Sequence, residues 1–185
     1  MARYALLLRG VNVGGHRKLP MADLRAALES LGHADVATYL QSGNAVLSAR
    51  GTGAARLAAQ AEAALADRCG VRTRVLVRTH AQLAALVAAN PFPDASAEPA
   101  KLHVVFLSAA PDRAGGAALD ADALAPDRFA LGTDAVYLRY AVSAGRSRLA
   151  EVVLKAVTGG TAGREVVATA RNWNTVLALL RMTAA

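Results

Sequence analysis

Isoleucine is missing from this 185-residue sequence, cysteine occurs once, and aromatic residues make up only 4% of it. A single cysteine, Cys69, excludes an intrachain disulfide and any metal site built from cysteines. Cys69 closes a helical stretch just before Gly70, where the helix dipole disfavours a thiolate, so a structural thiol is expected there. No apolar run approaches the ~20 residues needed to cross a bilayer. Met1 to Gly10 carries too short an apolar run for a signal peptide, and a soluble cytoplasmic protein is expected. A basic tail is also lacking. Residues 1–99 hold eleven Lys/Arg against seven Asp/Glu, and residues 100–185 hold ten against seven, so the net +7 is spread evenly. That spread suits solubility and weak attraction to polyanions rather than a dedicated nucleic-acid arm. The hydrophobic fraction of 54% is largely alanine, leucine and valine. Together with the excess of arginine over lysine, this is genomic bias. Enough large apolar residues remain to bury a core, which excludes disorder.

Tyr4–Leu8 reads as a buried strand ending in a glycine loop. Pro20 opens a helix with Leu24, Leu28 and Leu31 on one face, and Gly32 stops it. Val36–Gln41 and Asn44–Ala49 form two strands around a turn at Ser42-Gly43. A helix over residues 54–68 carries Leu57, Ala61 and Leu65 inward, Thr73–Val77 makes a fourth strand, and a Thr79/Gln82 capping box starts a helix to about Ala89. After a proline-rich stretch the order recurs. Strands fall at Lys101–Leu107, Arg128–Leu131, Ala135–Tyr140 and Glu165–Thr169, and helices at Asp112–Leu124, Ser147–Val157 and Trp173–Met182. The expected fold is α+β, a tandem duplication of a ferredoxin-like (alpha-beta plait) βαββαβ unit, each with an extra C-terminal helix. The first plait is placed at 1–90, a linker at 91–100 and the second plait at 101–185. The expected strand order in each sheet is 4-1-3-2.

Asparagine is scarce, with five in the chain, and four lie in three short polar motifs. The first is Arg9-Gly10-Val11-Asn12-Val13-Gly14-Gly15, followed by His16, Arg17 and Lys18. Its glycines permit close backbone approach, and its cations suit an anion. The spacing fits neither a dinucleotide fingerprint nor a P-loop. The second motif, Gln41-Ser42-Gly43-Asn44, is also ordinary hairpin chemistry. Because the first two strands of a plait run parallel, these two motifs leave the same sheet edge and should be neighbours. By the same topology Gly145-Arg146-Ser147-Arg148 shares an edge with Arg171-Asn172-Trp173-Asn174-Thr175. Ser147 and Asn172 also suit helix capping, and Trp173 suits the core. The tryptophan, set between asparagines beside an arginine, would offer stacking and hydrogen bonds to an organic group.

The Arg9–Gly15 loop with Lys18, the stretch Thr38-Tyr39-Leu40-Gln41-Ser42-Gly43-Asn44, Asn90-Pro91-Phe92, Gly145–Arg148 and Arg171-Asn172-Trp173-Asn174-Thr175-Val176 occur in order along nearly the whole chain. Together they resemble the bacterial family named domain of unknown function 1697. The resemblance implies a pair of alpha-beta plaits and carries no established activity. The family more often shows Lys and Thr where this chain has Arg148 and Ala150; arginine keeps the charge, while a role for a hydroxyl at 150 is put in doubt.

The function expected from these residues is binding, with turnover left open, of a phosphorylated or otherwise anionic small molecule near the junction of the halves. Arg9, Asn12, Gly14, Gly15, Lys18, Gln41, Ser42 and Asn44 would serve it from the first half. Arg146, Ser147, Arg148, Arg171, Asn172, Trp173 and Asn174 would serve it from the second. No cofactor is named by the sequence, and the four histidines show no metal-ligand spacing. No carboxylate lies inside a motif; the nearest are Asp23 and Glu151, so Ser42 and Ser147 lack an identifiable base, and His16 is the best general-base candidate. The alternatives are RNA or single-stranded nucleic-acid binding on the plait sheets, and a protein-interaction module. The strand Asn44–Ser48 lacks stacking aromatics, and Tyr137 and Tyr140, three apart, point to opposite faces.

Overall fold

The structure is a computed structural model that describes residues 1–14, 18–159 and 165–184. The chain divides into two compact units. Met1–Ala85 with Ala178–Ala185 form the first, and Leu86–Leu177 the second.

In the first unit, β1 (Ala2–Leu8), β2 (Ala34–Tyr39), β3 (Asn44–Ala49) and β4 (Val75–Thr79) form one sheet in the order β2-β3-β1-β4, every neighbouring pair antiparallel. This is the expected plait order. Helices α1 (Met21–Glu29) and α2 (Ala54–Cys69) lie on one face. Leu24, Ala27 and Leu28 of α1 and Leu57, Ala61, Ala64 and Leu65 of α2 pack with Leu6, Leu8, Leu47, Val75 and Val77. The helical and strand periods thus deliver their apolar stripes to one core. Gly70 ends α2 in the left-handed conformation and returns its N–H to Ala66 O. Edge strand β2 is interrupted by a register shift between Ala34 and Ala37, where Asp35 has φ 53°. Such a bulge twists an exposed edge away from further pairing.

The second unit repeats the order: β5 (Leu102–Leu107), α4 (Arg113–Ala117), β6 (Arg128–Leu131), β7 (Ala135–Arg139), α5 (Leu149–Thr158) and β8 (Ala168–Asn172), in a sheet ordered β6-β7-β5-β8. Val105, Leu107, Val136, Leu138 and Tyr140 form its core with Leu149, Val153 and Val157 of α5. Helices α3 (His80–Ala88) and α6 (Trp173–Thr183) follow β4 and β8. The two strand ends correspond residue by residue. Arg78 and Arg171 hold the fourth position of β4 and β8, and each is 7% exposed. Each is followed by a capping residue. Thr79 Oγ1 accepts from Gln82 N at 3.2 Å, and Asn172 Oδ1 from Thr175 N at 3.0 Å. Two similar units of this kind are consistent with a tandem duplication.

Several expectations need correction. Helix 112–124 shrinks to five residues: Asp112 caps it by accepting from Ala114 N and Gly115 N, but Gly115-Gly116 weaken it. Asp120 then accepts from Asp122 N and Ala123 N and turns the chain. The fourth strand of each unit lies further along than expected, at 75–79 instead of 73–77 and at 168–172 instead of 165–169. Residues 91–100 are no free linker. They form short 3-10 helices in the second unit, with Phe92 buried under the Arg128 guanidinium at 5.1 Å. Glu98 is held by Lys101 at 2.5 Å and Arg139 at 3.0 Å, and those hydrogen bonds keep its carboxyl below the ordinary range. Finally, the last eight residues group with the first unit, where the expected boundary gave them to the second; the Thr183 hydroxyl meets His80 Nδ1 at 3.2 Å.

Both faces of the two central strands of each sheet are buried. Away from α1 and α2, β1 and β3 bury Ala5, Leu7 and Val46, and β5 and β7 bury Val104, Phe106 and Tyr137 on their corresponding face. Tyr137 and Tyr140 do point oppositely: the Tyr137 hydroxyl donates to Leu86 O at 2.6 Å, while Tyr140 packs under α5.

Candidate functional site

In the first unit the glycine loop and the β2–β3 turn meet as their shared edge requires. The Asn12 amide donates to Gln41 O at 2.7 Å and to Leu19 O at 2.9 Å, while Asn12 Oδ1 accepts from Leu19 N at 2.8 Å. One side chain therefore closes its own loop and ties it to the neighbouring turn, from a backbone at φ 55°. Asparagine suits that position because its short amide tolerates the left-handed region. Asn44 is fully buried and donates to Tyr39 O and Ser42 Oγ, both at 2.9 Å, stapling the hairpin. Both asparagines commit their amides to the loops themselves. Arg9, Gly14, Lys18, Gln41 and Ser42 are exposed around them, whereas Gly15, His16 and Arg17 lie outside the described residues.

Asn12→Asp tests the staple. A carboxylate there would face two carbonyl oxygens and lose both donated bonds. The expected cost is about 2–3 kcal/mol of folding stability, read by denaturant titration.

The second unit behaves differently. β7 and β8 both run antiparallel to β5, so the segments that follow them, with Gly145–Arg148 and Trp173–Asn174, leave the same edge of the sheet. Their accessibility differs from what a pair of exposed loops would give. Because β8 continues to Asn172, Arg171 joins Thr169 on a buried sheet face, while Ala170 between them is exposed. Its guanidinium donates to Thr169 Oγ1 and Ala170 O, each at 2.8 Å, and burial lowers its pKa to about 10, still charged at neutral pH. Trp173 is buried too, Asn172 caps α6, and only Asn174 of this motif is fully exposed.

The other segment borders a pocket of ≈ 220 Å³ lined by Pro126, Asp127, Ala141, Val142, Arg146 and Ser147. Asp127 was not visible to motif reading. It precedes β6, and the pairing of Arg128 with Arg139 brings it beside the end of β7. Its carboxylate accepts from Ala141 N at 2.7 Å and, through a short bond, from the Ser147 hydroxyl. Ser147 Oγ in turn accepts from Leu149 N at 3.0 Å. Burial, reinforced by the Asp127 charge, pushes the neighbouring Tyr140 phenol up to about 12, so it stays protonated. Arg146 is exposed, and among the described residues no acid pairs with it. Arg148 is exposed as well, 3.9 Å from Glu151.

Other reactive groups are quiet. Cys69 is packed against the first core; burial and then the Asp23 charge raise its pKa, against Arg68, so the thiol is kept protonated. Burial lowers the pKa of His103, which meets Tyr140 edge-on at 5.2 Å. No group of three metal-binding side chains occurs among the described residues, and no described helix is long and apolar enough to cross a membrane.

Comparison with known proteins agrees with this architecture. The chain is similar to the solved structure of the conserved bacterial protein SP0830 from Streptococcus pneumoniae, at 24% identity and a TM-score of 0.68, with 98% of each chain covered. That likeness speaks for the fold. No curated protein matches the chain. The family described as "Protein of unknown function (DUF1697)" matches residues 1–137, spanning Met1–Ala85 of the first unit and the second as far as β7. On that match over most of its length, the chain belongs to the DUF1697 family.

Proposed function

We propose that the protein binds a small molecule carrying a phosphate or carboxylate group in the pocket at the β6–β7 edge. The observation that carries this reading is the guanidinium of Arg146, paired with no acid among the described residues, on the rim of a cavity that also presents the Ser147 hydroxyl. A cation beside a hydroxyl donor recognises an anionic oxygen by charge-assisted hydrogen bonding. Arg148 adds positive potential nearby. Asp127 does not cancel it fully, since both its oxygens already accept hydrogen bonds from within the fold. The pocket volume suits a ligand of few atoms or the anionic end of a larger one. Arg171 and Trp173 are buried, in β8 and at the start of α6, and neither lines the pocket.

Nucleic-acid binding on the sheets is the weaker reading, because the strand faces on which bases would stack are buried.

Sulfate or inorganic phosphate at millimolar concentration is expected to raise the melting temperature by a few degrees. Arg146→Ala should abolish the rise while leaving the ligand-free melting temperature unchanged. An equal rise in Arg146→Ala would place the anion elsewhere and defeat this reading.

A further inference from the structure

The Ser147 hydroxyl is held at both ends. Its proton is directed at Asp127 Oδ2, and one lone pair of its oxygen accepts from Leu149 N at 3.0 Å. A hydroxyl oxygen has two lone pairs, so one remains for an incoming group. Asp127 is itself fixed by Ala141 N at 2.7 Å, which orients the carboxylate without occupying Oδ2. All three elements converge on the same cavity as Arg146. Ser143 lines that cavity too, but it is exposed and among the described residues makes no bond to a carboxylate. A serine, a carboxylate within hydrogen-bond reach and a group orienting that carboxylate form the general pattern of an activated nucleophile.

We infer that Ser147 is the nucleophile of an acyl-ester hydrolase, with Asp127 as its base and Arg146 binding an anionic group remote from the ester. This rests on the anion-binding reading of the same pocket. In the first step a bond forms between Ser147 Oγ and the acyl carbon, and the hydroxyl proton passes to Asp127 Oδ2. The ester carbon–oxygen bond breaks, and the departing alkoxide takes that proton as an alcohol. Water then attacks the acyl-serine carbon and gives its proton to Asp127. Ser147 Oγ leaves as the new carboxylic acid forms and recovers the proton. The Leu149 N–H stabilises negative charge on Oγ both when it attacks and when it departs. Substrates are thus short acyl esters with a carboxylate or phosphate on the acyl chain or the alcohol.

A fluorophosphonate serine probe followed by peptide mass mapping tests the assignment on the whole chain. One adduct is expected, on Ser147, and none on Ser143. Asp127→Asn should slow labelling about a hundredfold, the lower range for a lost general base. Ser147→Ala should remove labelling and keep the Asp127–Ala141 bond. Should Asp127→Asn fail to fold, the site of labelling in the wild type still decides. No adduct on Ser147, an equal adduct on Ser143, or undiminished labelling in folded Asp127→Asn overturns the proposal. The sulfate-induced melting shift is measured alongside. A shift without labelling refutes the nucleophile and leaves anion binding standing. Labelling without a shift supports the nucleophile and removes the anionic requirement.

Discussion

Gly43→Ala is expected to cost the protein about 3–4 kcal/mol, combining an overpacked core with a strained backbone. Gly43 lies in the β2–β3 turn at φ 73°, a conformation L side chains rarely adopt. A Cβ there would overlap the Val11 Cγ2 methyl and stand 2.9 Å from Leu8 Cβ. Val11 and Leu8 are both buried, so neither can swing aside. The same glycine offers its carbonyl to Leu8 N at 2.9 Å, joining the turn to β1. Gly32 separates the two causes: its φ of 79° is similar, but a Cβ there meets nothing within 4 Å. Gly32→Ala should therefore cost only about 1 kcal/mol. Equal losses for the two variants in urea titration would show that packing at Gly43 contributes nothing.

Gly115→Ala, in α4, should lose about 3 kcal/mol, although alanine is ordinarily the better helix former by about 1 kcal/mol. The added Cβ would fall on the Ala156 carbonyl oxygen of α5 and lie 3.1 Å from its carbonyl carbon. Backbone cannot yield as a side chain can, so α4 would have to lift from α5. The adjacent Gly116 makes the comparison. Its Cβ would approach Leu131 Cδ1 at 2.6 Å, the far end of a flexible side chain. Gly116→Ala should cost about 1 kcal/mol, and a thermal melt that ranks it below Gly115→Ala would contradict the backbone explanation.

Element order was legible because the apolar spacing of α1, α2 and α5 and the β-branched runs of the strands carry it directly. Parallel placement of β1 and β2 then foretold the meeting of Asn12 with Gln41. Strand ends were harder. A strand ending at Thr169 leaves Arg171 in a loop, and three more residues of pairing with β5 turn it into a buried side chain. Local sequence does not decide that, because pairing with β5 supplies the hydrogen bonds that extend the strand. Asp127 was missed for a different reason. Motif reading looks along the chain, whereas Asp127 reaches Ser147 across a hairpin. Its signal was nonetheless partly present: strands at 128–131 and 135–140 around a three-residue turn set residue 127 opposite residue 139, one position from the register that the structure shows.

The division of the chain has a consequence for synthesis. The first unit takes its last residues, from Ala178 onward, after the whole of Leu86–Leu177 has been made. At about 5–20 residues per second, the nascent first unit waits on the order of ten seconds for its final helical turns. During that interval the second unit can complete its own sheet, which closes at Asn172. The later-made unit is therefore the first able to finish folding.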